Sequence, residues 1–151
     1  MITTQVESFT ERLPEFRPLF PLHWEELALN KDKVPLDPQY DIYLAREKRG
    51  ELVFVTLREL GVPIGYFIGF IAPGLHYKSC LTCTMDIFYV HPEKRTGRAG
   101  VKLFRAVEAE LKRRGVQRWF AGSKCHADAS VLFEYLKFER VEVYYSKWIG
   151  G

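Results

Sequence analysis

The chain has 151 residues, 47% hydrophobic and 15% aromatic, with 22 Lys+Arg against 19 Asp+Glu and three cysteines. This length fits one domain, residues 1–151, whose core needs neither disulfide nor metal, and the aromatic share excludes intrinsic disorder. No apolar run approaches ~18 residues, the N-terminus lacks the basic and apolar parts of a secretory leader, and the few cysteines fit a reducing compartment, so a cytoplasmic protein without a membrane partner is expected.

In chain order, Ile2–Ser8 alternates as a short strand. Thr10–Lys31 is helical in pattern but interrupted by Pro14, Pro18 and Pro21, with Leu22–Asn30 its best stretch. A second helix is predicted over Pro38–Lys48 behind Asp37. The period then changes. Glu51–Leu60 and Ile64–Ala72 are predicted strands around the turn Gly61-Val62-Pro63, and Cys80–Val90 is a third. Val101, Leu103, Phe104, Val107 and Leu111 recur at helical spacing within Thr96–Arg114, and Gly115 ends that helix. A strand over Val116–Ser123, a helix over Asp128–Lys137 and a closing strand or strand pair over Phe138–Ile149 complete the order β-αα-βββ-α-β-α-β. That order implies an α/β (α+β) fold whose β-α-β crossover makes Cys80–Val90 and Val116–Ser123 parallel neighbours.

The net charge of +3 is unevenly spread. Between Glu93 and Gly115, eight basic residues (Lys94, Arg95, Arg98, Lys102, Arg105, Lys112, Arg113, Arg114) against three acids leave +5, and the remainder, 14 basic and 16 acidic, carries −2. One basic segment on a near-neutral chain favours a single anionic ligand; no interleaved basic–aromatic stripe points to nucleic acid, and none is expected as a partner. Within it, a strand ending at Val90 meets Pro92, then Gly97, Ala99 and Gly100, which leave the start of a helix nearly bare. Backbone N–H groups there can approach a phosphate, with Lys94, Arg95 and Arg98 as charged donors.

Lys94-Arg95-Thr96-Gly97-Arg98-Ala99 resembles motif A of the GNAT superfamily of acyl-CoA-dependent N-acyltransferases, Arg/Gln-x-x-Gly-x-Gly/Ala after a strand ending in Val. Lys stands in place of the usual Arg or Gln, and the element order matches over essentially the whole chain. Leu22-His23-Trp24-Glu25-Glu26 is similar, more weakly, to phage-encoded members. The resemblance implies a mixed, mostly antiparallel sheet with helices on both faces, splayed between the fourth and fifth strands. It implies acetyl-CoA as co-substrate, its pantetheine arm along Tyr89 and Val90 and its pyrophosphate on Arg95, Thr96, Gly97, Arg98, Ala99 and Gly100. N-acetyl transfer to a primary amine is the implied activity; an acyl-CoA-binding module with little transfer is the alternative.

The catalytic groups are less clearly marked. The family's acid is a Tyr in the last helix, in a frame filled here by His126-Ala127-Asp128-Ala129-Ser130-Val131-Leu132-Phe133-Glu134-Tyr135-Leu136-Lys137-Phe138. Phe133 stands at the Tyr position and Lys137 at the Gly. Asp86, an even number of residues before Val90, is expected to share a sheet face with Phe88 and Val90, partly desolvated and suited to base work. His126 is the other candidate base, and Tyr144 on the closing strand a candidate phenol. His23 and Glu26, three apart on one helix face, are candidate acceptor-binding residues, in a wall where Glu25, Glu26, Asp32, Asp37 and Asp41 suit a cationic amine. Cys80, Cys83 and Cys125 have the wrong spacing for a metal, and none is expected. The aromatic closing strand (Tyr144, Tyr145, Trp148) offers an edge for a homodimer.

Overall fold

The computed structural model describes residues 1–95 and 97–151; Thr96, assigned above to the pyrophosphate loop, lies outside the described residues. Five strands form one sheet in sequence order: β1 (Ile2–Val6), β2 (Leu52–Glu59), β3 (Val62–Pro73), β4 (Leu81–Val90) and β5 (Arg118–Phe120). The first four pair antiparallel, and β5 runs parallel to β4. Leu52 to Leu57 of β2 is buried on both faces, which explains its unbroken apolar run.

Each face of the sheet carries its own core. On one side, α4 (Ala99–Arg113) sets Leu103, Phe104, Val107 and Leu111 against Val53, Val55, Leu57 and Phe67. On the other, α1 (Phe9–Phe16), α2 (Leu19–Leu27) and α3 (Tyr40–Lys48) cover Phe54, Tyr66, Ile68 and Tyr89 with Phe9, Phe16 and Phe20. The Glu47 carboxylate of α3 accepts the Phe9 and Thr10 N–H groups at 2.6 and 2.9 Å, so an acid distant in sequence caps α1 and fixes the helical layer.

The interrupting prolines do less damage than their number implies. Pro18 is the N-cap of α2 and Pro21 lies in its first turn, where no N–H partner is lost. Only Pro14 falls beyond the first turn of a helix. The basic helix begins at Ala99 rather than Thr96, because Gly97 takes φ +75°, outside the helical region. The last helix, α5 (Ser130–Tyr135), is shorter than Asp128–Lys137: Asp128 accepts from the Ser130 N–H, and Lys137 ends it at φ +70°.

The predicted closing strand is a correction. Residues 138–151 carry no strand among the described residues, and Val141, Tyr144, Tyr145 and Ile149 are exposed. Alternation specifies which face of a strand is apolar, but a strand exists only where a neighbour supplies the ladder. Here β5 contributes three residues, and all three pair with Thr82–Thr84 of β4. The expected dimer edge therefore has no strand beneath it in this structure.

Candidate active site

The short β5 opens a cleft. Pairing of β4 with β5 stops at Thr84, so from Met85 to Val90 the outer edge of β4 has no strand neighbour among the described residues. Against β3 the register runs Ile68↔Ile87 and then Gly69↔Met85, which leaves Asp86 as the extra residue of a β-bulge. The bulge resets the alternation. Cys83 and Met85 before it and Phe88 and Val90 after it belong to the α4 side, whereas Ile87 and Tyr89 belong to the side of α1 to α3.

Asp86 consequently does not share a face with Phe88 and Val90, contrary to strict alternation. Its Oδ2 accepts the Tyr43 hydroxyl of α3 at 2.5 Å, on the opposite face. Burial raises the Asp86 pKa above the ordinary carboxylate value, opposed by the Tyr43 hydrogen bond and the nearby Arg46 charge. Tyr43, half-buried and facing a carboxylate, is pushed well above the usual phenol value.

His23 is 8% exposed, stacked on Tyr89 at 5.1 Å between ring centroids, with Nδ1 2.8 Å from the Tyr66 hydroxyl. Burial lowers its pKa to about 4, so the ring is neutral near pH 7. Tyr66 is wholly buried and its pKa is raised, again by burial. Its hydroxyl proton needs an acceptor, which assigns Nδ1 as acceptor and Nε2 as the protonated nitrogen. In that tautomer His23 is a donor, not a base.

One turn further along α2 from His23, Glu26 holds Arg95. The two carboxylate oxygens take Nη1 and Nη2 at 2.5 Å each, Arg95 Nε donates to the Val90 carbonyl at 2.8 Å, and the guanidinium lies 5.7 Å from the Tyr89 ring centroid. The pair holds the Glu26 carboxyl below its usual range. Beside it is a pocket of about 470 Å³ lined by Leu22, Glu25, Glu26, Tyr89, His91, Pro92 and Glu93. At the loop, a Cβ added to Gly97 would meet nothing within 4 Å, whereas at Gly100 it would lie 3.4 Å from Leu132, so Gly100 lets α4 and α5 approach. Lys94 pairs with Glu59 at 2.6 Å, and Arg98 Nη2 donates to the Tyr135 hydroxyl at 2.9 Å.

The acetyltransferase (GNAT) family profile matches residues 14–137. The chain belongs to the GNAT family. No curated protein matches the sequence. Among solved structures, the GCN5-related N-acetyltransferase from Ralstonia eutropha JMP134 superposes with TM-score 0.76 at 16% identity, covering 99% of this chain and 100% of its own. A transcriptional regulator from Bacillus halodurans C-125 gives 0.78 at 15% identity, with 99% and 100% covered. A "predicted acetyltransferase with acetyl-CoA" from Clostridium acetobutylicum gives 0.69 at 11% identity, with 99% and 97% covered. At these identities the likeness is one of fold.

Against the GNAT pattern, Phe133 is 8% exposed and packs on Phe88, Phe104 and Phe138, so the usual tyrosine's place is apolar core. Lys137 occupies the left-handed position that the pattern fills with Gly. His126 Nε2 lies 3.0 Å from the Leu27 carbonyl, a contact that requires it to donate, and this ties the loop after β5 to the end of α2. That nitrogen is not a free base. Tyr144 is 87% exposed in the tail, and no described hydrogen bond joins it to β4. The structure thus gathers Asp86, His23, Glu26, Tyr89, Val90 and Arg95 around the upper part of β4 and leaves Tyr144 outside. Tyr43 and Tyr66 were not legible as site residues, since their partners lie 43 residues away in each case.

Proposed function

We propose that this GNAT protein moves an acetyl group from acetyl-CoA to a primary amine by direct transfer, with Asp86 as the base. The observation that carries this reading is the open edge of β4, which runs from the bulge at Asp86 to Val90 and leads into the Gly97 turn and the N-terminus of α4. An amide-bearing chain can add to such an edge as a strand would, along Tyr89 and Val90. The bare turn from Arg95 to Gly100 then meets the pyrophosphate with backbone N–H groups and the helix dipole.

Acetyl-CoA supplies an acyl group already activated as a thioester. The chain's own residues orient that group, polarise its carbonyl with backbone N–H groups at the bulge, and accept a proton from the incoming ammonium at Asp86. The new C–N bond forms as the C–S bond breaks, and a proton is returned to the leaving sulfur. Burial suits Asp86 to this work by keeping its pKa above the ordinary carboxylate value. The pocket beside Glu26 presents the carboxylates of Glu25, Glu26 and Glu93 with the apolar Leu22, Tyr89 and Pro92, which suits an amine carried on a partly apolar body.

The test joins acetyl-CoA calorimetry to thiol release with a panel of primary amines. Micromolar binding that is abolished in Gly97→Glu, together with amine-dependent thiol release lost in Asp86→Asn, is expected. Unchanged affinity in Gly97→Glu removes the loop from the reading. The second reading, an acyl-CoA-binding module without transfer, is favoured by Phe133 alone, whose place in the apolar core leaves no phenol there to protonate a thiolate. Binding without thiol release for any amine would select it.

A further inference from the structure

Arg95 stands at the junction of both halves of the proposed site, yet among the described residues its side chain bonds to Val90 and Glu26 and not to the turn that follows it. His91 N–H donates inward to the Ile64 carbonyl of β3 at 2.7 Å. Backbone groups alternate sides along a strand, so the Val90 carbonyl points outward, to the open edge. Arg95 Nε donates to that acceptor, and each of its two terminal nitrogens gives one N–H to Glu26. An arm laid along β4 needs the outward Val90 carbonyl, and a pyrophosphate needs the guanidinium. The first demand competes with the Nε bond and the second draws the guanidinium from Glu26, so both act on Arg95.

We propose that Arg95 serves two positions in turn: without cofactor it closes the upper end of β4 and neutralises Glu26, and on cofactor loading it passes to the pyrophosphate and releases Glu26 into the acceptor pocket. This rests on the coenzyme A site proposed above and adds its regulation. Glu26 is a positioning residue in this scheme, acting through Arg95. The exchange has a direction. With Arg95 withdrawn, the pocket retains the carboxylates of Glu25, Glu26 and Glu93 without that neutralising charge, so its attraction for an ammonium rises only once the acyl donor is in place. The coupling is reciprocal, because whatever competes for Glu26 also frees Arg95 for the cofactor.

Coenzyme A itself is the probe. Titration calorimetry on wild type, Glu26→Gln, Arg95→Gln and the double variant forms a double-mutant cycle. Glu26→Gln is expected to tighten coenzyme A by at least about threefold, the scale of a partly exposed bidentate pair. Arg95→Gln is expected to weaken it by at least fivefold, on the scale of one lost charge-assisted phosphate contact. The gain from Glu26→Gln must vanish in the Arg95→Gln background; if it persists, the effect is removal of a negative charge and the exchange is overturned. A smaller gain in the single variant, or wild-type affinity in Arg95→Gln, also overturns it while wild-type binding leaves the cofactor site standing. Absence of binding in the wild type removes both together. A crystal structure of the coenzyme A complex in which Arg95 still holds Glu26 is equally fatal to the exchange.

Discussion

Removing the Tyr43 hydroxyl isolates the most consequential contact in the site. In Tyr43→Phe the ring keeps its stack on Phe9, but Asp86 loses the hydrogen bond that stabilises its charged form. A hydrogen bond to a charged group contributes roughly 1.5–3 kcal/mol, and one pKa unit is about 1.4 kcal/mol; the lower end, apt for a half-buried pair, lifts the Asp86 pKa by about one further unit. The sign follows from linkage. A carboxyl whose folded pKa is raised favours the folded state while protonated, so its contribution is complete below the unfolded value and is lost as pH rises through the folded one. Tyr43→Phe should therefore be destabilised relative to wild type by about 1–2 kcal/mol more at pH 7 than at pH 3.5. Urea denaturation at several pH values measures this directly, with Asp86→Asn as the background in which the pH-dependent part must disappear. A Tyr43→Phe penalty that is constant with pH would refute the pairing of a charged Asp86 with that hydroxyl. If Asp86 is the base, the acid limb of kcat/KM should move up by the same unit.

The buried His23 gives the opposite slope: with its folded pKa lowered from 6.5 to about 4, wild type should lose roughly 2–3 kcal/mol relative to His23→Gln as pH falls through that window, measured by the same denaturation series. Lys137→Gly should stabilise by about 0.5–1 kcal/mol, because the left-handed φ of +70° strains any residue with a Cβ; a lower urea midpoint would contradict it. Gly97→Ala should cost about 1 kcal/mol of stability from φ +75° alone, as its Cβ meets nothing within 4 Å, with a loss clearly above 2 kcal/mol pointing to packing the structure does not contain.

Local signals carried the fold further than the site. The apolar stripe of α4, the meander and the stop at Gly115 are short-range patterns, and each appears where the spacing puts it. The end of α5 comes two residues before the expected Lys137: Lys137 N–H and Phe138 N–H return to Glu134 and Phe133 at 3.1 and 2.9 Å, so a Gly-type termination is built with a Lys in the strained place. What could not be read were partners. Glu26 and Arg95 are 69 residues apart, and nothing local marks Arg95 as turned toward α2 instead of toward its own loop. The closing strand failed for a related reason, since the Phe138–Ile149 pattern holds no information about whether β5 offers it an edge.

The bulge at Asp86 joins these observations into one structural cause. Up to Met85 the strand alternates, with Cys83 and Met85 directed to the α4 core. The one inserted residue then turns a carboxylate onto the face of α1 to α3, where Tyr43 receives it, and returns Phe88 and Val90 to the α4 side. It lies two residues beyond Thr84, where β5 lets go of β4. The bulge interrupts the pairing with β3 on one edge of β4, next to the point where the short β5 leaves the other edge open, so the displaced acid and the open edge lie side by side. Had β4 alternated back from Val90 and Phe88 without it, Asp86 would lie on the α4 face beside Phe88, a buried charge without a partner. The lone Asp in Met85-Asp86-Ile87-Phe88-Tyr89-Val90 was thus a readable signal. A charge that breaks the parity of an apolar strand marks the residue the strand must expel, and here that residue lies beside the open edge.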